Sequence, residues 1–187
     1  MSSLTKSDFK VARTCPAKLY YKKLKYPTTQ DDDEYLELLE QGGYMIGAIA
    51  NLLFPEAIAI NERNSQRALQ ATQELITQEN VTLLEAAFLS NGKFARPDIL
   101  LKRGNHFTLI EVKAKSFDGA EAKKRLDAGK SNLFRNIRKG EIAPGWQPYL
   151  EDVAFQTHVL QRAFPETEVR PFLMLCDKSR QTGIDNL

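Results

Sequence analysis

The sequence of 187 residues lacks the features that mark membrane proteins and disulfide-stabilised secreted domains. Two cysteines are too few for a disulfide framework, so we expect a reducing, cytoplasmic setting. No apolar run approaches the roughly 20 residues that a membrane-spanning helix needs. The first residues are polar and charged where a secretory signal would carry an apolar core. These absences favour a cytoplasmic protein without a membrane partner.

Several common catalytic motifs are missing as well. No Ser/His/Asp or Cys/His arrangement accompanies the two histidines, and we expect His158 to be partly buried or on a helix surface. No Gly-x-x-x-x-Gly-Lys-Ser/Thr phosphate loop occurs, so an integral ATPase is not expected. The length predicts one domain over residues 1–187. Because the chain ends soon after its last predicted strand, this domain could be the N-terminal part of a longer protein, with a further C-terminal domain or a partner subunit.

Positive charge is concentrated in two stretches, residues 6–25 and 121–140, which hold more than half of the 26 Lys and Arg residues. Such segregation suits a surface that faces a phosphate backbone, and the alternative is two solvated helix faces. Trp146 and Tyr149 flank the second stretch and could either stack on bases or anchor the core. The candidates for nucleic-acid contact are Lys18, Lys22, Lys123, Lys124, Arg125, Lys130, Arg135 and Arg138.

The hydrophobic periodicity predicts a mixed α/β fold, with a mixed central sheet flanked by helices. Asn91-Gly92 and Gly104-Asn105 are two-residue hairpin signals, so the middle of the chain is predicted to form a three-stranded antiparallel meander. The predicted strands are Thr82–Leu89, Phe94–Lys102, His106–Lys115 and a last buried strand, Val169–Leu175. The predicted helices are Leu4–Tyr26 with a break at Cys15-Pro16, Glu34–Leu53, Ser65–Thr77 and Tyr149–Ala163.

The two turns also predict which residues face each other across the meander. If both loops have two residues, Asp98 lies opposite Glu85 on one side and opposite Glu111 on the other, with neighbours about 5 Å apart. Three aligned like charges destabilise a sheet, and a bound divalent cation would offset the repulsion. Carboxylate oxygens select hard ions such as Mg²⁺ or Mn²⁺. The alternative is an exposed strand face with ordinary acidic residues.

Two further features support the cation site. Lys113 follows Glu111 by two residues and therefore points to the same face of its strand, where its ammonium could orient a water or contact a phosphate. The other face of these strands is apolar, with Ile99, Leu101, Ile110 and Val112.

The repulsion also predicts an effect on stability. Because repulsion would be relieved, removal of Asp98 or Glu111 is expected to leave the metal-free protein at least as stable.

Pro97-Asp98 followed by Glu111-Val112-Lys113 is similar to the PD-(D/E)xK nuclease signature. Three further segments resemble RecB-like exonuclease domains of that superfamily, in particular an uncharacterised bacterial subfamily, and the resemblance covers nearly the whole chain. The three segments are Thr5-Lys6-Ser7-Asp8-Phe9 leading to Cys15-Pro16-Ala17-Lys18-Leu19-Tyr20-Tyr21, Leu83-Leu84-Glu85-Ala-Ala-Phe88, and Asp152-Val-Ala-Phe-Gln156.

The resemblance implies a restriction-endonuclease-like core and a metal-dependent phosphodiesterase that acts on DNA, as single strands or duplex ends, in repair or defence. It implies that one or two Mg²⁺ or Mn²⁺ ions bind Asp98, Glu111 and the carbonyl of Val112, with Glu85 nearby. Lys113 would support the nucleophile or the developing charge. Gln156 would lie near the metal.

The sequence departs from the family pattern at three places. Many RecB-like nucleases carry a metal-ligating His in the first long helix, where this chain has Gly47, and Glu40 of the same helix is a candidate substitute. The family tyrosine that follows the glutamine is Leu160 here. Iron–sulfur members, including CRISPR-associated exonucleases, use a late group of three cysteines, whereas Cys176 stands alone, so no cluster is expected. The alternatives are therefore a catalytically weak or inactive nucleic-acid-binding domain on the same scaffold, or an interaction module of a longer repair or defence protein.

Overall fold

The computed structural model describes residues 3–27, 34–130, 132–136 and 139–181, which form a mixed α/β fold. The predicted fold class, a mixed sheet flanked by helices, is confirmed. The helices are α1 (Lys6–Thr14), α2 (Pro16–Lys23), α3 (Glu34–Asn51), α4 (Ser65–Leu75), α5 (Gly119–Asp127) and α6 (Gln147–Ala163). The strands are β1 (Leu4–Thr5), β2 (Ile58–Ala59), β3 (Asn80–Leu84), β4 (Phe88–Ser90), β5 (Lys93–Ala95), β6 (Ile99–Arg103), β7 (His106–Phe117), β8 (Arg135–Asn136), β9 (Glu141–Ile142) and β10 (Glu168–Asp177).

A five-stranded sheet in the order β10-β7-β6-β3-β2 carries the architecture. Strands β3, β6 and β7 are antiparallel neighbours, as the meander predicted, whereas β10 runs parallel to β7 and β2 runs parallel to β3. Helix α6 belongs to the connection between β7 and the parallel strand β10, because parallel neighbours need a long crossover. The predicted last strand is confirmed, but the prediction that it is buried is wrong. It lies at the edge of the sheet, where Val169 is the single buried residue of β10 and Phe172 is exposed.

The meander is interrupted, which the sequence interpretation did not anticipate. The two strands that were predicted as continuous, Thr82–Leu89 and Phe94–Lys102, each break in the middle, and the tip between the breaks forms the hairpin β4–β5. This hairpin joins β1 in a separate three-stranded sheet. Pro97 explains one break, because proline has no N–H for the ladder. Glu85 explains the other, since its φ of 57° is not a strand conformation.

The sheet separates two apolar layers. On one face, α6 packs against a core that includes Leu83, Leu100 and Leu109, each with no exposed surface. Full burial of such a side chain contributes about 1.5–3 kcal/mol. On the other face, Ala50 of α3 packs with the residues that were predicted to be apolar, so that prediction is confirmed. They are Ile99, Leu101, Ile110 and Val112.

The first N-terminal helix, α1, docks on α6. Helix α1 begins with a capping box, in which Thr5 Oγ1 accepts the N–H of Asp8 at 3.2 Å and Asp8 Oδ2 accepts the N–H of Thr5 at 3.1 Å. The rings of Phe9 and Phe155 stack at 5.2 Å and join α1 to α6. Pro16 occupies the first turn of α2, so the predicted break at Cys15-Pro16 is confirmed. This docking brings the first turn of α1 to the sheet.

The connection between β7 and α6 contains α5 and the small hairpin β8–β9. None of the helices in the described part of the chain combines the length and the apolar character that crossing a membrane requires.

Candidate active site

The two hairpin turns produce the register that was predicted from the sequence. Both residues of Asn91-Gly92 have positive φ, 48° and 71°, as a two-residue type I′ turn requires, and Gly104 at φ 53° begins the second turn. The three predicted carboxylates therefore lie side by side, each one residue beyond the last paired residue of the ladders that join β3, β6 and β7. They are Glu85, Asp98 and Glu111. The ladder pairs that confirm this register are Leu84 with Ile99 and Ile99 with Ile110.

Asp98 lies just before β6, and β7 holds its carboxylate. Oδ2 of Asp98 accepts the N–H of Val112 at 2.6 Å. Burial and the negative charge of Glu111 raise the pKa of Asp98 to about 6, although the N–H of Val112 acts in the opposite direction. A carboxyl whose pKa is raised beside a second carboxylate is typical of a functional site.

Glu111 lies in the middle of β7 and is completely buried. Its Oε1 accepts hydrogen bonds from the ammonium groups of Lys6 and Lys113, the latter at 2.6 Å, and its Oε2 accepts one from Nε2 of Gln156. Burial would raise the pKa of Glu111, but the charges of Lys6 and Lys113 outweigh it and lower the pKa. Glu111 is therefore a buried carboxylate that stays charged because three donors surround it.

Lys113 is shared between β7 and α6. Its Nζ lies 2.6 Å from Oε1 of Glu111 and 3.2 Å from Oδ2 of Asp152, whose side chain is 1% exposed. Burial opposes the charged form, but Glu111 and Asp152 raise the pKa of Lys113. The ammonium is thus charged and held from two sides, which is the condition for a positioned catalytic cation.

Asp152 was not predicted as a site residue. The sequence did carry a signal, because Asp152 precedes Gln156 by one helical turn and shares its face of α6. Within the described residues, Oδ1 of Asp152 and Oε1 of Gln156 are buried and accept no hydrogen bond. An unpartnered buried oxygen is unfavourable by about 1–3 kcal/mol, so two of them beside one site point to a ligand or ordered water there.

Glu85 stands at the rim, in a conformation that most residues avoid. Its positive φ is unfavourable by roughly 1–3 kcal/mol, and such residues cluster at functional sites. Its N–H donates to the carbonyl of Asp98 at 3.0 Å. Nε of Arg96 lies 3.1 Å from both the carbonyl and the carboxylate of Glu85. Although half of the side chain is exposed, partial desolvation raises the pKa of Glu85 and Arg96 lowers it less.

A pocket of about 520 Å³ opens between the site and α3. Glu40 lies in its wall, so the residue proposed as a substitute for the family histidine does share a cavity with Asp98 and Lys113. Gly47, at the position of the missing histidine, also lines the pocket and has open space where a Cβ would stand. The remaining lining residues are Gly43, Tyr44, Ala48, Asn51, Glu85, Val112 and Ala114.

The predicted nucleic-acid contacts that the structure describes are spread over α2, α5, the loop after α5 and β8. Lys22 is partly committed elsewhere, because its Nζ lies 3.0 Å from Oδ1 of the buried Asp8. Arg125 is half-buried, and Arg138 lies outside the described residues. The other predicted contacts are exposed side chains. They are Lys18, Lys123, Lys124, Lys130 and Arg135.

The aromatic residues of the crossover form a packed group beside the site. The ring of Trp146 lies 5.0 Å from that of Phe134 and 6.2 Å from that of Tyr149, and all three residues are half-buried. Nζ of Lys115 lies over the rings of Trp146 and Tyr149 at 4.8 and 5.1 Å. These contacts favour the core-anchor interpretation. His158 is exposed on α6, in agreement with the sequence interpretation.

The donors of the site suit a magnesium-like ion without forming a closed cage. In the described ranges, no group of three or more His, Cys, Asp and Glu side chains is placed to hold a metal ion. The predicted row of three carboxylates is therefore not a ready ligand set, and Glu85 pairs with Arg96 instead. Mg²⁺ is usually bound through one or two carboxylates and keeps several waters. Asp98 and Glu111 meet that requirement.

Comparison with known proteins adds no family to this geometry, because the chain matches no family model and none of the curated proteins. The RecB-like resemblance of the sequence segments remains a prediction.

Proposed function

We propose that this chain is a divalent-metal-dependent nuclease with a restriction-endonuclease-like core, similar to RecB-like exonuclease domains. The observation that carries the proposal is that Asp98 and Lys113 line one pocket, and that the charged Lys113 is held between two buried carboxylates, Glu111 and Asp152. A purely structural ion pair has no need of the additional carboxyl of Asp98, whose pKa is raised by burial and by the charge of Glu111.

Each residue of the site would have a definite task. Asp98, Glu111 and the carbonyl of Val112 would hold Mg²⁺ or Mn²⁺. The ion, when bound, polarises a phosphoryl oxygen and lowers the pKa of water for in-line attack. Lys113 would contact the attacked phosphate or orient the attacking water, because Asp152 keeps its ammonium in place. Gln156 would fix the orientation of Glu111 by donating to Oε2.

Nucleic acid, and DNA in particular, is the proposed substrate. The exposed lysines of α2 and α5 supply positive charge that phosphates require and carry no sequence code. We propose single strands or duplex ends as the form of DNA, and repair or defence as the setting. Glu40 and Glu85, the latter paired with Arg96, line the pocket and would contact a second ion or ordered water there.

A cleavage assay tests the proposal. Wild-type protein should cut DNA in Mn²⁺ or Mg²⁺ and stop when a chelator is added, and Asp98→Ala should be inert. Glu74→Ala is the matched control, because it removes one carboxylate from α4, outside the pocket, and should cleave like wild type. Single-stranded and duplex DNA should both be offered.

A non-catalytic nucleic-acid-binding domain is the second candidate. One observation favours it. Oε1 of Glu111 already accepts hydrogen bonds from two lysines, so their positive charges compensate the charge of the carboxylate without a metal. If wild type and Asp98→Ala bind DNA equally and neither cleaves it in any of these conditions, this second function replaces the first.

A further inference from the structure

Lys6 contacts the centre of the site from the other end of the chain. It is the first residue of α1, after the N-cap Thr5, and the stack of Phe9 on Phe155 anchors that helix on α6. Its ammonium bonds Oε1 of Glu111, the same oxygen that accepts from Lys113. Two positive groups on one carboxylate oxygen repel each other, so this arrangement favours the departure of one of them.

If another cation bound Glu111, the two lysines would differ in the ion-pair partners that remain to them. Lys113 has a second carboxylate, Asp152, at 3.2 Å. Among the described residues, Lys6 forms its ion pair with Glu111 alone. The side chain of Lys6 is 27% exposed, so its end can reach solvent. Lys6 is therefore the lysine that a cation at Glu111 would displace.

The charge of Lys6 also acts on the other two carboxyls. It lowers the pKa of Glu85, Asp98 and Glu111, in each case against the desolvation that raises it. A divalent cation between these carboxyls would act in the same direction. The ammonium of Lys6 thus supplies part of the positive charge that the three carboxyls require.

We propose that Lys6 holds the place of a divalent cation on Glu111 in the metal-free protein, and that cation binding transfers its ammonium to a backbone phosphate of the nucleic acid. This inference rests on the proposed function. It makes Lys6 a metal-linked phosphate contact, with opposite effects on two affinities: it weakens cation binding and strengthens nucleic-acid binding once the cation is present.

Calorimetric titration with Mn²⁺ tests the first half. Lys6→Met keeps the aliphatic stem without the competing charge, and it should bind Mn²⁺ about tenfold more tightly than wild type. Lys6→Arg keeps the charge and should bind Mn²⁺ like wild type. Lys23→Met is the control, because Lys23 pairs with Asp8 at 2.7 Å and not with Glu111, and it should bind Mn²⁺ like wild type. Lys6→Gln replaces Lys6→Met if the latter fails to fold.

Binding of labelled duplex DNA at several salt concentrations tests the second half. With Ca²⁺, which takes the same oxygen ligands, Lys6→Met should flatten the slope of log K against log salt by about one. With chelator, where Lys6 stays on Glu111, Lys6→Met and wild type should have equal slopes.

The outcomes separate this inference from the proposed function. If wild type binds no cation, both are overturned. If wild type binds Mn²⁺ and Lys6→Met binds it equally or more weakly, the role of Lys6 is overturned and the nuclease proposal stands. Tighter Mn²⁺ binding without a change of the salt slope in Ca²⁺ overturns the phosphate contact.

Discussion

Asp8 and Glu111 are both buried carboxylates, and each accepts hydrogen bonds from two lysines, yet they stand in different surroundings. Lys22 and Lys23 approach Asp8 at 3.0 and 2.7 Å, and the N–H of Thr5 completes its shell at 3.1 Å. Burial alone would raise the pKa of Asp8, but Lys23, the N–H of Thr5 and Lys22 hold it well below its ordinary value. Asp8 and its donors form a structural ion cluster in which both carboxylate oxygens are hydrogen-bonded.

Glu111 has the same two-lysine shell, but a further carboxyl, Asp98, lies beside it and forms no ion pair with a lysine or arginine among the described residues. Burial and then the charge of Glu111 raise the pKa of Asp98, and Glu85 acts in the same direction. The charge of Glu111 also contributes to the raised pKa of Glu85, after burial. Nearby, Oδ1 of Asp152 and Oε1 of Gln156 accept no hydrogen bond within the described residues. The difference shows that paired lysines alone do not mark a site. Excess carboxyls and unsatisfied oxygens beside a pocket do.

The largest expected difference between the two clusters concerns their lysines. Lys113→Ala should keep metal and DNA binding and lower the cleavage rate by about 10²–10³, roughly 3–4 kcal/mol, because a positioned charge is lost at the transition state. Lys23→Ala removes a lysine from the Asp8 cluster and should leave the cleavage rate unchanged. Single-turnover assays measure both. Equal rates for Lys113→Ala and Lys23→Ala would show that Lys113 has no role in the reaction.

The pH dependence of stability should have opposite signs at the two clusters. The pKa of Asp98 is higher in the folded protein, about 6 against an ordinary 3.8, so the folded state binds more protons in this range. The free energy of unfolding should therefore fall by up to about 3 kcal/mol as pH rises from about 4 to 6 in chelator. The contribution of Asp8 is instead lost as pH falls below about 4.

Denaturant unfolding of Asp98→Asn is the control, because that variant should lose the decline between pH 4 and 6. A decline of the same size in Asp98→Asn would assign it to another group.

Removal of the carboxylates should affect stability unequally. Asp8→Ala leaves Lys22, Lys23 and the N–H of Thr5 without their acceptor and should lower the free energy of unfolding by about 2–3 kcal/mol. Asp98→Ala loses one hydrogen bond but relieves repulsion, so in chelator it should change stability little. A loss in Asp98→Ala as large as in Asp8→Ala would make Asp98 structural. For Glu111, the sequence predicted that its removal leaves the metal-free protein at least as stable. The structure instead predicts a loss of stability, because three donors would lose their acceptor.

The smallest expected effect comes from adding a ligand to the pocket. Gly47→His places a histidine where many RecB-like nucleases have one, in open space at the pocket wall, and should tighten Mn²⁺ binding by about tenfold. Gly42→His is the matched control, because it makes the same change in α3 outside the pocket lining. Equal Mn²⁺ affinities of the two variants would contradict the placement of the metal at this pocket.

The sequence predicted the alignment of Asp98 with Glu111 because two short turns determine a register, and turn chemistry is local. It did not predict that the strands would break at Glu85 and Pro97, although the proline was a signal. The breaks move Asp98 out of the ladder, so that its carboxylate can accept the N–H of Val112. In a continuous strand, the N–H of Val112 would have been part of the backbone ladder between β6 and β7.

Lys6 and Asp152 were missed for a different physical reason. They reach the site from α1 and α6, and the contact between Lys6 and Glu111 joins residues 105 positions apart. Such contacts depend on how helices dock, which hydrophobic periodicity does not specify. The periodicity did predict both helices and the apolar face that α3 covers.

Calorimetric titration of Mn²⁺ into wild type and Asp98→Asn tests the central claim most directly. Asp98→Asn keeps the size of the side chain and an oxygen for the N–H of Val112, so its fold should be retained. The account predicts saturable cation binding by wild type and its loss, with at least a tenfold weaker affinity, in Asp98→Asn. Wild type that binds no divalent cation, or Asp98→Asn that binds it with the affinity of wild type, would contradict a metal centre at Asp98 and Glu111.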